Sequence, residues 1–169
     1  LMSDSTVLAY QKTACVCRPL ITCVELLLKN LKIGKVDLFG SYTQGLFVQS
    51  FSKVDINIST PAMADHVTLH MIQRQLSSMN ILSSLVYTDR HTPLYLELPT
   101  KYITFKIWTN NSLALLSSKS IQSYLEEHST LLTALLHIKI LACAIKKQYG
   151  AWASIESYTL TVIGIAYHK

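Results

Sequence analysis

"LFGSYTQGLFVQSFSKVDINIS", residues 38–59, contains a strand that breaks at a Gly-Ser turn, a loop, and a second strand that carries one aspartate. A glycine-rich turn at the start of a helix presents backbone N–H groups that suit a phosphate. Asp55 and Asn57 lie on one face of the second strand, because side chains two residues apart point the same way. The stretch therefore predicts a phosphate-binding turn beside a single carboxylate, whereas metal-assisted phosphoryl transfer normally uses several.

The sequence around this stretch alternates in the manner of short strands. Residues 35–40 and 53–59 are β-branched and alternating, and three further strand-like runs follow at 81–88, 92–98 and 102–108. A helix is predicted over 64–79, with Val67, Met71 and Leu76 on its apolar face. A small mixed sheet with a helix behind it predicts an α+β core.

The two ends of the chain are helical in pattern. Residues 3–32 predict either one helix kinked at Pro19 or two consecutive helices. Helices are also predicted over 118–128, 129–150 and 154–169, the middle one apolar almost all round and so buried. We expect the first helix to pack against these late helices. The predicted organisation is an α+β lobe over 33–116 and a truncated helical lobe made from 1–32 and 117–169.

Composition narrows the class of protein. Only 15% of the 169 residues are charged and 50% are hydrophobic, which predicts faces covered by a partner or by further chain. The net charge of +5 favours a polyanion or an acidic protein surface as partner. Four cysteines without a pairing pattern indicate a reduced, cytoplasmic location, with a nuclear one not excluded. The longest apolar run, residues 131–145, contains His137 and Lys139 and is too short for a membrane span, so no membrane partner is expected.

Two groups of residues have a weak resemblance to zinc sites. His66 and His70 have the i, i+4 spacing of a helical metal pair but lack the adjacent glutamate of a metalloprotease helix. Cys15, Cys17 and Cys23 match no zinc-finger spacing. Surface or core positions explain these residues better than a metal site does.

Gly40-Ser41 followed by Asp55-Ile56-Asn57 resembles the signature of the polymerase-β-type nucleotidyltransferases. Residues 103–147 resemble the noncanonical poly(A) polymerases and terminal uridylyltransferases, and "SIESYTLTVIGIAY", 154–167, resembles their Ser-Tyr helix. The resemblance implies a Gly-Ser turn that opens a helix and holds a triphosphate. It also implies three strand carboxylates that bind magnesium, a serine that contacts phosphate, and a tyrosine that stacks on the base.

Some positions match this family and others depart from it. The matching positions, which form a predicted nucleotide- and phosphate-binding remnant, are Gly40, Ser41, Lys139, Ser157 and Tyr158. Ser117 stands where the resemblance implies a ribose-contacting asparagine, and Cys143 stands where it implies a second lysine.

The carboxylate positions depart most. Asp55 keeps the first carboxylate, Asn57 replaces the second, and Lys106 stands at the third. Because two-metal catalysis needs anionic oxygens, we expect these three residues to be a vestigial site with no metal, no other cofactor and no enzymatic activity. We also expect the Lys106 ammonium to pair with Asp55 as a built-in counter-ion. Glu97, on a neighbouring strand, is the alternative second carboxylate.

Within the family, the chain is similar to the catalytically inactive N-terminal module of the large two-copy uridylyltransferases. "VDINISTP" (54–61), "LVYTDRHTPLYLEL" (85–98) and the basic residue at position 106 support this hypothesis. That similarity implies a protein and RNA interaction platform in RNA 3'-end tailing and microRNA processing. Its implied partners are an RNA-binding protein of the cold-shock-domain type or an active transferase, and RNA itself. The alternative is a divergent, active RNA terminal nucleotidyltransferase that adds UMP or AMP.

Overall fold

A computed structural model describes residues 4–48, 52–88, 92–149 and 157–168. Within these ranges the chain forms five helices and five strands. In chain order they are α1 (Asp4–Asn30), β1 (Lys35–Phe39), β2 (Val54–Ser59), α2 (Asp65–Ser78), β3 (Ser84–Tyr87), β4 (Pro93–Pro99), β5 (Thr104–Thr109), α3 (Ser112–Glu127), α4 (Ser129–Tyr149) and α5 (Ser157–His168). The predicted strands and helices are all found, and Pro19 lies inside α1, which is a single helix.

The strands form one mixed sheet in the order β1-β2-β5-β4-β3. The central pair, β2 with β5, is parallel, and the other neighbouring strands are antiparallel. This arrangement confirms the predicted α+β class. It also sets the register of the site, because Asp55 lies opposite Lys106, and Lys106 lies opposite Glu97.

The two faces of the sheet differ in chemistry. Val54, Ile56, Phe105 and Ile107 are fully buried on the face that packs against α1 and α2. The alternate residues of β2 and β5, among them Asp55, point to the opposite face, because strand side chains alternate. We call this opposite side the polar face; its members on β2, β5 and β4 are Asp55, Asn57, Lys106, Trp108, Tyr95 and Glu97.

The core has two hydrophobic clusters. The sheet cluster contains the apolar face of the sheet, the buried side of α2 and, from α1, Cys17, Ile21, Val24 and Leu28. The helical cluster contains Leu46 and Val48 together with Ile121, Leu125, Leu131, Leu135, Leu136 and Ile140 of α3 and α4. We expected the first helix to pack against the late helices, and this is wrong for most of the described buried residues of α1. These residues cover apolar side chains of the strands. α1 also contacts α4.

The predicted boundary between residues 116 and 117 falls inside α3. Since α3 starts at Ser112, no natural break separates the two predicted segments at that point. The division of the chain into two lobes stays a prediction.

Two helix faces also differ from the prediction. On α2, Val67 and Met71 are 40% and 38% exposed, whereas Thr68, Leu69 and Ile72 are fully buried. The buried stripe was missed because it contains a threonine, whose hydroxyl is satisfied by Thr60 at 3.0 Å. On α4, hydrophobic residues including Ile138 and Leu141 are exposed, so this helix is buried on one side and not all round.

No single helix within the described ranges is long and apolar enough to cross a membrane. One pair passes the same test of length and composition when joined, namely α3 with Ser129–Ile145 of α4, and that pair is bent by 115°.

Candidate functional site

The Gly-Ser turn follows β1 and sits against Asp55. Phe39, the last residue of β1, is the register partner of Asp55 on β2. Gly40 has a φ of +77°, and a Cβ added there would lie 2.8 Å from Asp55 Oδ2. Only glycine satisfies both conditions without strain, because other residues disfavour positive φ. The turn and the carboxylate are therefore in direct contact, as a shared site requires.

The backbone of this turn is held by α3. The Gly40 N–H donates to Ser118 Oγ at 2.7 Å, and the Gln44 side-chain amide donates to the same oxygen at 3.3 Å. Residues 41–45 form turns, closed by the Leu46 N–H donating to the Ser41 carbonyl at 2.9 Å. The helix that the resemblance implies at this point is absent from residues 41–45. The Gly40 N–H is therefore engaged by α3 and is not available to a ligand in this structure.

Asp55 is partly buried and accepts a hydrogen bond from the indole of Trp108. The distance from Trp108 Nε1 to Asp55 Oδ1 is 3.0 Å. Burial raises the pKa of Asp55, and this effect exceeds the opposing influence of the Trp108 hydrogen bond and of the charges on Lys106, Lys139 and Lys53. Asp55 is thus a partly buried carboxyl group on which three lysine charges act.

Lys106 lies beside Asp55 in the sheet but does not pair with it. Its Nζ lies 4.7 Å from the centre of the Tyr95 ring and 5.8 Å from that of Trp108. In the described residues, the ion pairs within 4.0 Å join Lys29 to Glu25, Lys35 to Asp37, and Lys53 to Glu97. The predicted direct ion pair is therefore wrong, because the aromatic faces of Tyr95 and Trp108 hold the ammonium instead.

Asn57 has a structural role that the sequence pattern did not indicate. It is fully buried, and its Oδ1 accepts from the Asn111 N–H at 2.8 Å while its Nδ2 donates to Ser59 Oγ at 3.0 Å. Asn111 is the N-cap of α3 and accepts from the Ala114 N–H at 3.2 Å. Asn57 thus ties β2 to the start of α3.

Glu97 lies on the polar face, opposite Lys106. Its carboxylate pairs with Lys53. Lys106 stands between Glu97 and Asp55 in the register, so the two acidic residues are two strands, or about 10 Å, apart along the sheet.

The residues present do not fit the two-magnesium centre that the family resemblance implies. Asp55 is one carboxylate with one oxygen already bonded, the Asn57 oxygen is occupied, and Lys106 brings a positive charge. Among the described residues no group of three or more His, Cys, Asp or Glu side chains is placed to hold a metal ion. His66 and His70 are exposed on α2 and belong to no such group. Hard divalent cations need several anionic oxygens, which this site does not provide.

Lys139 approaches the site from α4. Its side chain is 6% exposed, and its Nζ donates at 2.6 Å to the carbonyl of Leu46, in the segment that follows the Gly-Ser turn. Burial lowers the pKa of Lys139 to about 8, partly offset by Cys143 and by the charge of Asp55. The structure thus brings Gly40, Ser41, Asp55 and Lys139 together.

A second group of predicted residues lines an open pocket of about 360 Å³ between α3 and α5. Ser117 and Tyr158 are both in its wall, and Tyr158 is 57% exposed. Ser157 begins α5, but its side chain, like that of Cys15, lies outside the described part of the chain. The same helix, α3, contributes to both features, because Ser118 bonds to Gly40 and its neighbour Ser117 lines the pocket.

Sequence reasoning missed Trp108, Tyr95 and Ser118. Side chains two residues apart in a strand share a face, which places Trp108 on the same face as Lys106. Trp108 could therefore have been identified from the sequence. The contacts of Tyr95 and Ser118 depend on the docking of separate elements and carry no local signal.

Comparisons with known proteins support the fold. Neither a family model nor a curated protein matches this chain. Its structure is similar to that of Cid1, an RNA terminal uridylyl transferase, with a TM-score of 0.70 and 20% identity over 89% of this chain and 46% of that one. It is also similar to a cytoplasmic RNA terminal U-transferase, with a TM-score of 0.68 and 20% identity over 95% of this chain and 46% of that one.

The chain has the polymerase-β-type nucleotidyltransferase fold. It spans less than half the length of the chains that it matches. A third structure, of the Cid1 poly(U) polymerase, gives a TM-score of 0.65 and 20% identity over 95% of this chain and 48% of that one.

These comparisons contradict one prediction and leave another untouched. We expected no enzymatic activity, and this expectation is contradicted. The solved structures that share the fold belong to RNA terminal uridylyltransferases. The changes at Asn57 and Lys106 do not by themselves establish inactivity. The assignment to the N-terminal module of the two-copy enzymes stays a prediction.

Proposed function

We propose that this protein is a divergent RNA terminal nucleotidyltransferase that adds UMP or AMP to the 3' end of RNA. The observation that carries the proposal is the contact of Asp55 with the Gly-Ser turn on the polar face of a nucleotidyltransferase sheet. The similarity to terminal uridylyl transferases supports the choice of reaction.

In this proposal the base of the nucleotide lies in the α3–α5 pocket and its phosphates lie toward the Gly-Ser turn. Tyr158 offers an exposed ring on which a base can stack, and Ser117 offers a hydroxyl in the same pocket wall. The phosphates then lie toward Ser41, where the charges of Lys106 and Lys139 act on the same carboxylate, Asp55. Positive charge at this position complements a triphosphate.

Transfer joins the RNA 3' oxygen to the α-phosphorus and breaks the bond between the α- and β-phosphates, releasing pyrophosphate. Asp55 accepts the hydrogen bond of the attacking hydroxyl and takes its proton. Trp108 holds the other oxygen of the carboxylate, which fixes the direction of Asp55. The net charge of +5 supports RNA as the acceptor. Recruitment by an RNA-binding protein in the cytoplasm stays a prediction from the family resemblance.

The test is the transfer of radiolabelled UTP or ATP to a short RNA, with magnesium or manganese supplied. We expect extension of the RNA by the wild-type protein and a loss of about 100-fold or more in Asp55→Asn, which keeps an oxygen for Trp108 but no base. Glu25→Gln, on α1 and away from the polar face, is the matched control and retains activity. Absence of transfer by the wild type with either metal would refute the proposal.

A further inference from the structure

We infer that Lys106 takes the place of a divalent cation in this site, so that the protein binds nucleoside triphosphates without magnesium. The inference deepens the proposed function and rests on it for the identity of the ligand. It concerns binding, which is measured separately from transfer.

One oxygen of Asp55 and the side-chain oxygen of Asn57 already accept hydrogen bonds within the protein. Asp55 Oδ1 accepts from Trp108 at 3.0 Å, and Asn57 Oδ1 accepts from the Asn111 N–H at 2.8 Å. A metal ion that recruited either of these two oxygens would compete with a hydrogen bond, and the Asn57 side chain is fully buried. The protein itself therefore orients the side chains of Asp55 and Asn57 through these hydrogen bonds.

Side chains at the site supply positive charge, which a bound cation would otherwise provide. Relative to three carboxylates, asparagine at position 57 adds one unit of positive charge and lysine at position 106 adds two. Together these exceed the charge of one magnesium ion. Lys106, Lys53 and Lys139 all act electrostatically on Asp55. A triphosphate at the turn would meet net positive charge supplied by side chains.

The position of Lys106 suits an anion partner. Its ammonium lies over the rings of Tyr95 and Trp108, a contact in which its N–H groups can still donate to an anion. The acidic neighbours are engaged elsewhere, since Glu97 pairs with Lys53 and Asp55 accepts from Trp108.

The distance from Lys106 to the turn is short enough for one ligand to touch both. Lys106, Asp55 and Phe39 are register partners on three adjacent strands, so the backbones of Lys106 and Phe39 are about 10 Å apart. Gly40 follows Phe39 directly. The Lys106 ammonium lies over Tyr95 of β4, so the side chain must turn from β4 toward β2 to meet a ligand at the Gly-Ser turn. After that rotation, a triphosphate that extends from the turn across β2 is within reach of Lys106.

The experiment is calorimetric titration of UTP into the protein, once in EDTA and once in magnesium chloride. We expect the two dissociation constants of the wild type to agree within about threefold. Lys106→Gln should weaken binding in EDTA by about tenfold or more, the loss expected for one charge-assisted hydrogen bond. Lys106→Arg, which keeps the charge, should restore most of it. Circular dichroism confirms that each variant is folded.

A second variant tests whether restored carboxylates make UTP binding depend on magnesium. The double variant Asn57→Asp with Lys106→Asp restores the carboxylate set, and we expect it to bind UTP in magnesium but not in EDTA. Wild-type binding that disappears in EDTA, or Lys106→Gln that binds as tightly as wild type, would overturn the inference. No UTP binding in either condition would overturn both the inference and the proposed nucleotide site. Metal-free binding without RNA extension would overturn the proposed function alone.

Discussion

Lys139 is a buried ammonium group: it is 6% exposed, and it donates to the carbonyl of Leu46, in the segment that follows the Gly-Ser turn. Because burial lowers its pKa to about 8 from the ordinary value of 10.5, the folded protein releases this proton at a lower pH than the unfolded chain does. The unfolded chain therefore holds more protons between pH 8 and 10.5, and stability rises with pH across that window. Below about pH 8 the cost of the buried charge is present in full.

Lys139→Met removes this charge and tests its effect at the residue scale. We expect the variant to gain stability relative to wild type at pH 7, and this advantage to shrink by up to roughly 3 kcal/mol as the pH rises to 10. Urea unfolding at a series of pH values measures it. Lys29→Met on α1, where the lysine side chain is 48% exposed, is the control and should show no such trend. Identical pH profiles for the two variants would contradict the prediction.

At the scale of elements, the start of α3 depends on β2. Asn57 receives the Asn111 N–H, and the neighbouring Asn110 accepts from the Thr60 N–H at 2.7 Å. The pair of asparagines thus joins the end of a strand to the cap of a helix, and α3 in turn holds the Gly-Ser turn through Ser118. We therefore expect a substitution at the end of β2 to alter the position of the Gly-Ser turn.

Asn57→Leu and Asn57→Asp distinguish the hydrogen bond between Asn57 and Asn111 from the packing of the Asn57 side chain. Leucine leaves the partly buried Asn111 N–H without its acceptor, and we expect a loss of about 1–3 kcal/mol in the free energy of unfolding. Aspartate keeps the acceptor at a helix N-terminus, which favours negative charge, and Ser59 can donate to it, so the loss should be smaller. Chemical denaturation measures both. A larger loss for aspartate than for leucine would show that burial of charge dominates at this position.

At the scale of the whole molecule, the segment after the Gly-Ser turn joins the two hydrophobic clusters. Leu46 and Val48 are buried in the helical cluster, whereas Phe47, between them, is buried in the sheet cluster. Lys139 adds a hydrogen bond to the same segment. Because three consecutive residues alternate between the clusters, neither cluster can open without exposing apolar surface of this segment.

Leu46→Ala and Phe47→Ala test this coupling. We expect each to lower the free energy of unfolding by about 2–5 kcal/mol, since both residues are buried in different clusters. Unfolding followed by far-ultraviolet circular dichroism and by tryptophan fluorescence should give coincident transitions in the wild type and in both variants. Two separated transitions in the wild type would show that the clusters unfold independently.

The period of the hydrophobic pattern was enough to predict the elements and the class of the fold. Alternation in "KVDLFG" and "KVDINIS" located β1 and β2, and the same rule placed Asp55 and Asn57 on one face, because side-chain direction in a strand depends only on sequence parity. Helix faces were harder, since Thr68 interrupts the apolar stripe of α2. The packing of α1 on the sheet had no local signal at all.

The sequence by itself determined which residues form strands, where the Gly-Ser turn lies and that Asp55 has no second carboxylate two residues later. Tertiary structure alone decided the partners of the site residues: Trp108 for Asp55, Asn111 for Asn57, and Ser118 for Gly40. These pairs are separated by 53, 54 and 78 positions in the chain. Local propensity acts over a few residues, whereas contacts at such separations form only after strand register and helix docking bring the two segments together.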